Sequence, residues 1–573
     1  MQELKYIPIF GFAGANRNIS PFLMKPGDVA DTENLITEKI GVFKKTGDYL
    51  IKNAQITSSQ SILGGIDFFR NDGTHEHLVA INGASSANIY KDIAGTWTST
   101  SQSLTTNKKV RFAYSPSLDT LFAVNESDRT RSFNGSSWST TTNVTSAPKG
   151  KVVLNFSNRM YILNATVVTT HSASVSKSPS ASPSVSPSVS VSPSVSVSPS
   201  ISPSVSVSPS GSTSISPSVS TSPSVSVSPS VSASPSISPS VSTSPSSSTS
   251  LSPSISPSVS PSVSPSPADT EVSYPTRAYR SSLVDSGSIT WDTTNDWIVF
   301  DDVIVGGGFN GGNMMVMCEN TVWVFTDADD KYQASSVGCV SHESIASYKS
   351  LTFWAARDGM YIWNGSSDHK ISLPIQEIWD SISESDLSNI QSAILGDNLY
   401  VFLGTVTIDG RQVTNALYCY DISQDDWNRI KLGTTSTSLH TYVTASGKKL
   451  FMGDTDGKIY QMFTSGGQNG SEFRGMFETD WIYGSGEKNI DTFLELWGFG
   501  EKLSAMKAFC KVDDGEYRAI GEFNGSTDKI SFKMNGYRIR FMLQETSKSN
   551  LYEFSRLEVG YLPRYVKQSD TQS

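Results

Sequence analysis

The residues able to do chemistry in this 573-residue chain are few and scattered. Histidine occurs at His75, His77, His171, His342, His369 and His440. His75 and His77 stand two apart in "DGTHEHLV", a spacing that puts both imidazoles on one face of a strand, as two metal ligands would be. A third ligand nearby in sequence is missing, so the segment reads as the start of a hairpin with exposed histidines. Carboxylates cluster in "TDADDKY" (326–332) and "GDTDGKIY" (453–460), an arrangement that suits Ca2+. Neither continues into a twelve-residue loop closed by Glu, and turn chemistry is the expectation. "GGGFNGG" (306–312) lacks the Lys-Ser/Thr of a phosphate loop and the strand–GxGxxG–helix setting of a dinucleotide site; it reads as a flexible loop. Cys318, Cys339, Cys419 and Cys510 follow no ligand spacing and read as small buried apolar residues. No GxSxG, HExxH or kinase signature occurs. Paired carboxylates for glycoside cleavage can lie far apart in sequence, which leaves that chemistry open. No residue is therefore assigned a catalytic, cofactor-binding or metal-binding role. No cofactor is implied, and the chain is expected not to be an enzyme.

The elements around these residues read as short strands separated by turn signals, the pattern of an all-β protein. Five segments resemble one another: "SANIYKDIAGTW" (86–97), "RTRSFNGSSW" (129–138), "DGMYIWNGSS" (358–367), "NALYCYDISQDDW" (415–427) and "DGKIYQM". A similar strand precedes most of them, as in "TLFAVN", "RMYILN", "LTFWAA", "NLYVFL" and "KLFMGD". Tyr90 to Phe133 spans 43 residues and Tyr418 to Tyr460 spans 42. That period, with three or four strands per unit, predicts a β-propeller, in which each small sheet buries its faces against its neighbours. An array of β-sandwiches is the alternative, but it does not favour so steady a period. "PIQEIWDSISESDLSNIQSAIL" (374–395) has helical spacing, with Ile375, Ile378, Trp379 and Ile382 on one face, Pro374 in the first turn and Gly396 as a stop. The Ser383–Asp386 region splits it into two shorter helices, expected as a cap on the propeller. Residues 471–563 alternate in a way that predicts a C-terminal β-sandwich-like region.

Between these parts runs a different text. Every even-numbered residue from Ser172 to Ser266 is serine, and proline recurs at odd positions. The period of two suits a strand, but proline removes ladder donors, which leaves a long disordered or polyproline-II insertion. The chain thus divides into an N-terminal arm with first strands (1–60), propeller (61–171), Ser-Xaa/Pro insertion (172–268), propeller with the helices (269–465) and the sandwich-like region (466–573). The net charge of −10 argues against a protein that grips duplex DNA through clustered Lys and Arg. No basic segment followed by a long apolar core opens the sequence and no run of 18 uncharged apolar residues occurs, so neither a secretory signal nor a membrane span is expected.

Residues 14–49, "GANRNISPFLMKPGDVADTENLITEKIGVFKKTGDY", resemble the opening of the tail nozzle proteins of short-tailed bacteriophages, the tubular protein B-like family. The matching positions are Asn18, Leu23, Pro26–Gly27, Asn34, Gly41, Lys44–Lys45 and Gly47, with Asp48 intervening before Tyr49. "NRMYILN" (158–164), "YRSSLVDSGSITWD" (279–292), "NTVWVFT" and "SVGCVSHESIASYKSLTFWAARDGMYIWNG" (336–365) resemble further family segments in the same order. The resemblance implies a virion structural protein, made in the host cytoplasm and assembled into a homo-oligomer, a hexameric ring whose wall is built of propeller blades. By the same resemblance it attaches to portal–adaptor proteins and to tail fibres or spikes, retains packaged DNA and conducts the duplex during ejection. It also places the insertion inside one blade, where a short loop normally joins "NRMYILNATV" to "YPTRAYRSSL". An acidic lumen would repel phosphate and let DNA slide. The alternatives are a propeller-type adhesin for host glycans, displaying the Ser/Pro stalk, and a glycan-cleaving propeller enzyme.

Overall fold

The repeated text maps onto fixed strand positions in successive four-stranded antiparallel sheets. Thr120–Val124, Arg159–Thr169, Leu351–Ala355, Asn398–Ile408 and Gly447–Asp454, which contain the five similar preceding strands, are all second strands. The resembling segments hold the third strands, such as Ala87–Ile93, Arg131–Phe133 and Met360–Trp363. An Asx carbonyl or carboxylate then closes the turn into the fourth strand. Asn134 Oδ1 accepts from the backbone N–H of Ser136 and Ser137, Asn364 Oδ1 from Ser366 and Ser367, and Asp421 Oδ1 from Ser423 and Gln424. The computed structural model describes residues 3–16, 29–39, 41–169, 270–285, 287–464, 473–486, 489–547 and 551–564; the Ser-Xaa/Pro insertion and Asn18, Leu23 and Pro26–Gly27 lie outside them.

Seven such sheets make a propeller: blades 1 to 7 lie at 62–104, 111–139, 149–169 with 270–299, 304–335, 346–370, 391–431 and 436–464. The first strand of each blade is innermost, and these strands neighbour one another around a closed circle. Seven hydrophobic clusters fill the seven seams between consecutive blades, from Leu78–Leu121–Phe133 between blades 1 and 2 to Val79–Ile81–Phe451 between blades 7 and 1. The stretch that follows blade 6 supplies only three strands to blade 7. Asp48–Ile51, from the other end of the sequence, pairs with Ile459–Thr464 as the fourth, so closure of the circle is a β-ladder between distant segments.

Crowding at the axis explains "GGGFNGG", which is not a flexible loop. Ile304–Asn310 is the inner strand of blade 4 and only Gly311–Gly312 forms its turn. A Cβ at Gly306 would lie 2.6 Å from Ile345 Cδ1, and one at Gly307 2.6 Å from Leu154 Cδ1. Inner strands of neighbouring blades approach too closely there for any side chain.

The helical reading of 374–395 is half corrected. Gln376–Asp380 and Glu384–Leu387 are two short helices, as expected, but the break falls at Ser381–Ser383 and Glu384–Asp386 are helical; Ile375, Ile378, Trp379 and Ile382 are buried in the seam between blades 5 and 6. Gln391–Leu395, however, is the inner strand of blade 6, and Gly396 (φ +64°) belongs to a hairpin turn rather than a helix stop. Tertiary pairing overrides the local 3.6-residue pattern: Gln391 Nε2 donates to the Ser436 carbonyl and Ser392 Oγ to that of Ser344, tying the segment to the blades on either side.

The arm assigned to 1–60 is not a separate piece. Lys5–Phe10, Leu35–Lys39 and Val42–Lys45 join Asp491–Glu501, Thr527–Gly536 and Glu553–Pro563 in one six-stranded sheet. Val29–Glu33 joins Gly475–Thr479, Ile482–Tyr483, Met506–Val512, Arg518–Phe523 and Arg538–Glu545 in a second. Phe12, Phe43, Phe477, Leu496, Phe541 and Phe554 fill a common core between them. The β-sandwich is thus woven from both ends of the sequence, and the buried pair Lys45 Nζ–Glu545 Oε2 (2.6 Å) fastens one end to the other.

The insertion leaves and re-enters one blade. Arg159–Thr169 and Thr270–Arg280 are adjacent strands of blade 3, paired out to Thr169 opposite Thr270. The residues that bracket it are therefore as close as any antiparallel pair, about 5 Å between Cα atoms. Replacing 172–267 by Gly-Ser shortens the connection from 100 residues to six. At about 0.6 kcal/mol per halving, the shortened protein is expected to be equally stable or stabilised by up to about 2 kcal/mol. Urea denaturation measures this, and loss of folding would show that the insertion supports blade 3.

Candidate functional site at the mouth of the propeller channel

Only the propeller axis can bring residues of five blades together, and one cavity of about 210 Å3 does so. Its wall includes Gly64 and Gly65 of blade 1, Arg111 of blade 2, His342 and Glu343 ahead of blade 5, Ser392 of blade 6 and Ser438 of blade 7. These residues stand where the inner strands begin, and Lys109, just before the inner strand of blade 2, reaches the same cavity. A neighbouring cavity of about 310 Å3 shares Lys109 and is lined by Asp386, Asn389, Gln391 and Asn415.

The electrostatics are lopsided. Arg111 spans to Glu343, with Nε 2.9 Å and Nη2 2.7 Å from Oε1, and its Nη1 donates to the Lys151 carbonyl at 2.8 Å. Burial works against the charge of Glu343, yet Arg111, His342 and Lys109 pull its carboxyl down to about 2. It is therefore ionised at neutral pH and unsuited to give up a proton. Burial pushes Lys109 below the ordinary lysine value, reinforced by Arg111 and opposed only by Glu343; its ammonium donates to the Thr437 carbonyl. Burial together with Arg111 holds His342 down at about 3, so this ring is neutral. The Gly307 N–H donates to His342 Nδ1 (3.4 Å), which places the ring proton on Nε2.

Of the residues named from sequence as able to do chemistry, His342 lies in this cavity and the others do not. His75 is half-buried against Asp67, its Nδ1 2.9 Å from both carboxylate oxygens. His77 is fully buried rather than exposed: its Nε2 lies 2.7 Å from Nε2 of His440, at the seam where blade 7 meets blade 1. Burial depresses both rings, His440 to about 4, so one neutral imidazole donates to the other. The sequence could not offer His440 as a partner, since 363 residues separate the two. Among the described residues no three His, Cys, Asp or Glu side chains gather as a metal site.

Asp454 Oδ1 accepts from the backbone N–H of Asp456 and Lys458, and Asp329 pairs with Arg280, so both acidic clusters serve turns and ion pairs. The four cysteines are buried thiols, Cys318 and Cys339 pushed up to about 12 by desolvation. Sequence reading passed over Lys109, Arg111, Lys151 and Glu343. Their one signal is position: each stands at or just before the first strand of a blade, or next to the turn that leads into it, and these starts converge on the axis.

No known protein family and no curated protein matches the chain. Similar solved structures include YCF48 from Cyanidioschyzon merolae, 10% identical over 73% of this chain and 98% of that one, with a TM-score of 0.33. Sqt1 of Saccharomyces cerevisiae is 8% identical over 73% and 99%, with a TM-score of 0.31. An exo-beta-1,3-galactanase from Phanerochaete chrysosporium is 7% identical over 89% and 100%, with a TM-score of 0.22. At such scores these likenesses carry no argument about activity, and the propeller stands on its own sheet order and closed seams.

Proposed function

We propose that this protein is a structural component of a short-tailed bacteriophage tail, the nozzle or a close relative, which retains packaged DNA and conducts it during ejection. The observation that carries the reading is the ordered set of nozzle-like segments, from the opening at 14–49 to the block at 336–365. The fold supports it in two ways. The family-like opening supplies strands to both the sandwich and blade 7, so neither end of the propeller can unravel without breaking a ladder to the opposite terminus. That suits a wall loaded by confined DNA. The blade that interrupts its hairpin with the serine run is also the one where the resemblance expects a short loop.

The propeller's own axis is not the conduit. Arg111 and Glu343 close across it, and Lys109 reaches the Thr437 carbonyl on blade 7, leaving cavities fit for small molecules. In this reading the blades are masonry, and the DNA passage is enclosed between copies of the chain in a homohexameric ring. Among the described residues no helix is long and apolar enough to cross a membrane. Negative-stain microscopy of purified protein and of the parent particle tests the proposal. A six-fold ring with its opening between protomers, present at the tail tip, is expected. Monomers that neither form rings nor enter particles would overturn it, and glycan-array binding by such monomers would favour the adhesin.

A further inference from the structure

The channel mouth holds more positive charge than its own carboxylates answer. Arg111 is committed to Glu343 and to the Lys151 carbonyl, and Glu343 is the one carboxylate in the wall of the smaller cavity. Among the described residues neither Lys109 nor Lys151 forms an ion pair. An ammonium has three donors, and that of Lys109 has one protein acceptor, the Thr437 carbonyl. His342, with Nδ1 accepting from Gly307, presents an Nε2–H. Buried polar groups are almost always paired, so donors left over on a desolvated cation mark a missing partner.

We infer that the mouth of the channel binds a small phosphate-class oxyanion, held by Lys109 and His342 in the positive field of Arg111 and Lys151. Each group offers a donor to a ligand rich in acceptor oxygens, and a tetrahedral oxyanion presents them in several directions at once. A duplex phosphodiester cannot enter a cavity of about 210 Å3, whereas a free ion or a terminal monoester can. The site is independent of the tail reading.

The test uses the full chain and inorganic phosphate, with sodium chloride at matched ionic strength as control. Phosphate is expected to raise the thermal unfolding midpoint saturably where chloride does not, and to broaden its own 31P resonance on binding. Lys109→Met should weaken phosphate affinity about tenfold or more, the loss of a charge-assisted hydrogen bond, and Lys151→Met by a smaller factor. No phosphate-specific rise, or undiminished affinity in Lys109→Met, would overturn the proposal. Should Lys109→Met fail to fold, His342→Asn takes its place, and unchanged affinity there is equally fatal. Glycerol phosphate run alongside distinguishes the ligand's source: binding as tight as the free ion identifies a terminal monoester, and exclusion identifies inorganic phosphate.

Discussion

Arg429→Met is expected to destabilise the protein by about 3–5 kcal/mol, read as a fall in the urea unfolding free energy at pH 7. Arg429 lies on the outer strand of blade 6 (Asp426–Lys431) and is 4% exposed. Its Nη2 is 2.9 Å from Asp31 Oδ2 and 3.1 Å from Glu33 Oε2, both on the sandwich strand Val29–Glu33. Arg474 completes the network with two hydrogen bonds to Glu33, of 2.9 and 2.7 Å. The propeller and the sandwich are thus joined through buried charge. Methionine fills much of the arginine volume but leaves two buried carboxylates facing one cation, and it is the stranded charge that costs. Burial raises the pKa of Glu33, but Arg474 and Arg429 outweigh it and leave the carboxyl below its ordinary value. A depressed carboxyl contributes stability above its unfolded pKa and loses it as pH falls through the folded one. The deficit of the variant should therefore shrink in acid, as the Glu33 carboxylate takes up a proton. Adding Asp31→Asn and Glu33→Gln to Arg429→Met should recover most of the loss. A cost under about 1 kcal/mol for the single variant would show that apolar packing alone holds this junction.

The same junction marks where sequence reading stopped. Second and third strands of the blades were legible because "TLFAV", "RMYIL" and "LYVFL" repeat a short apolar run beside Asx turns, a signal contained within a dozen residues. The partners of Val29–Glu33 and of Asp48–Ile51 were not, because they lie more than 400 residues away, in Gly475–Thr479 and Ile459–Thr464. Strand pairing carries no mark in a single sequence when the strands are that far apart. The arm therefore looked separate while it was closing two bodies at once. His77 failed for the same reason, its partner being His440. Gln391–Leu395 failed differently: Ile390, Ala393 and Ile394 continue a helical stripe, and only the need of blade 6 for an inner strand decides against it. The channel mouth was invisible for a third reason. Lys109, Arg111, His342 and Glu343 form no motif, and they become a site only when seven strand starts are set around an axis.

Asp426→Asn should have the opposite sign to Arg429→Met, and its effect should depend on pH. Asp426 is 5% exposed at the start of the outer strand of blade 6. Its Oδ2 accepts from the Gly14 N–H at 3.1 Å and its Oδ1 from Asn428 Nδ2 at 3.3 Å. Burial, with the charges of Asp421 and Asp425 adding to it, pushes this carboxyl up to about 7 against the help of Thr37 and Gly14. The neighbours are committed elsewhere: Asp421 accepts from the Ser423 and Gln424 N–H groups, and Asp425 from the Tyr420 hydroxyl. A carboxyl whose folded pKa lies above its unfolded value binds more protons when folded, so its contribution to stability is full below pH 4 and declines as pH rises to about 7. Three pH units correspond to roughly 4 kcal/mol at most. Asparagine is the uncharged isostere of the protonated form and keeps the oxygen that Gly14 requires, so the variant should match wild type near pH 4 and exceed it by about 2–4 kcal/mol at pH 8. Urea unfolding of both proteins at the two pH values measures the difference, in which every other titrating group cancels. A gap that is equal at pH 4 and pH 8, or a variant less stable at pH 8, would mean that Asp426 is ionised in the fold and that the Gly14 contact needs its charge.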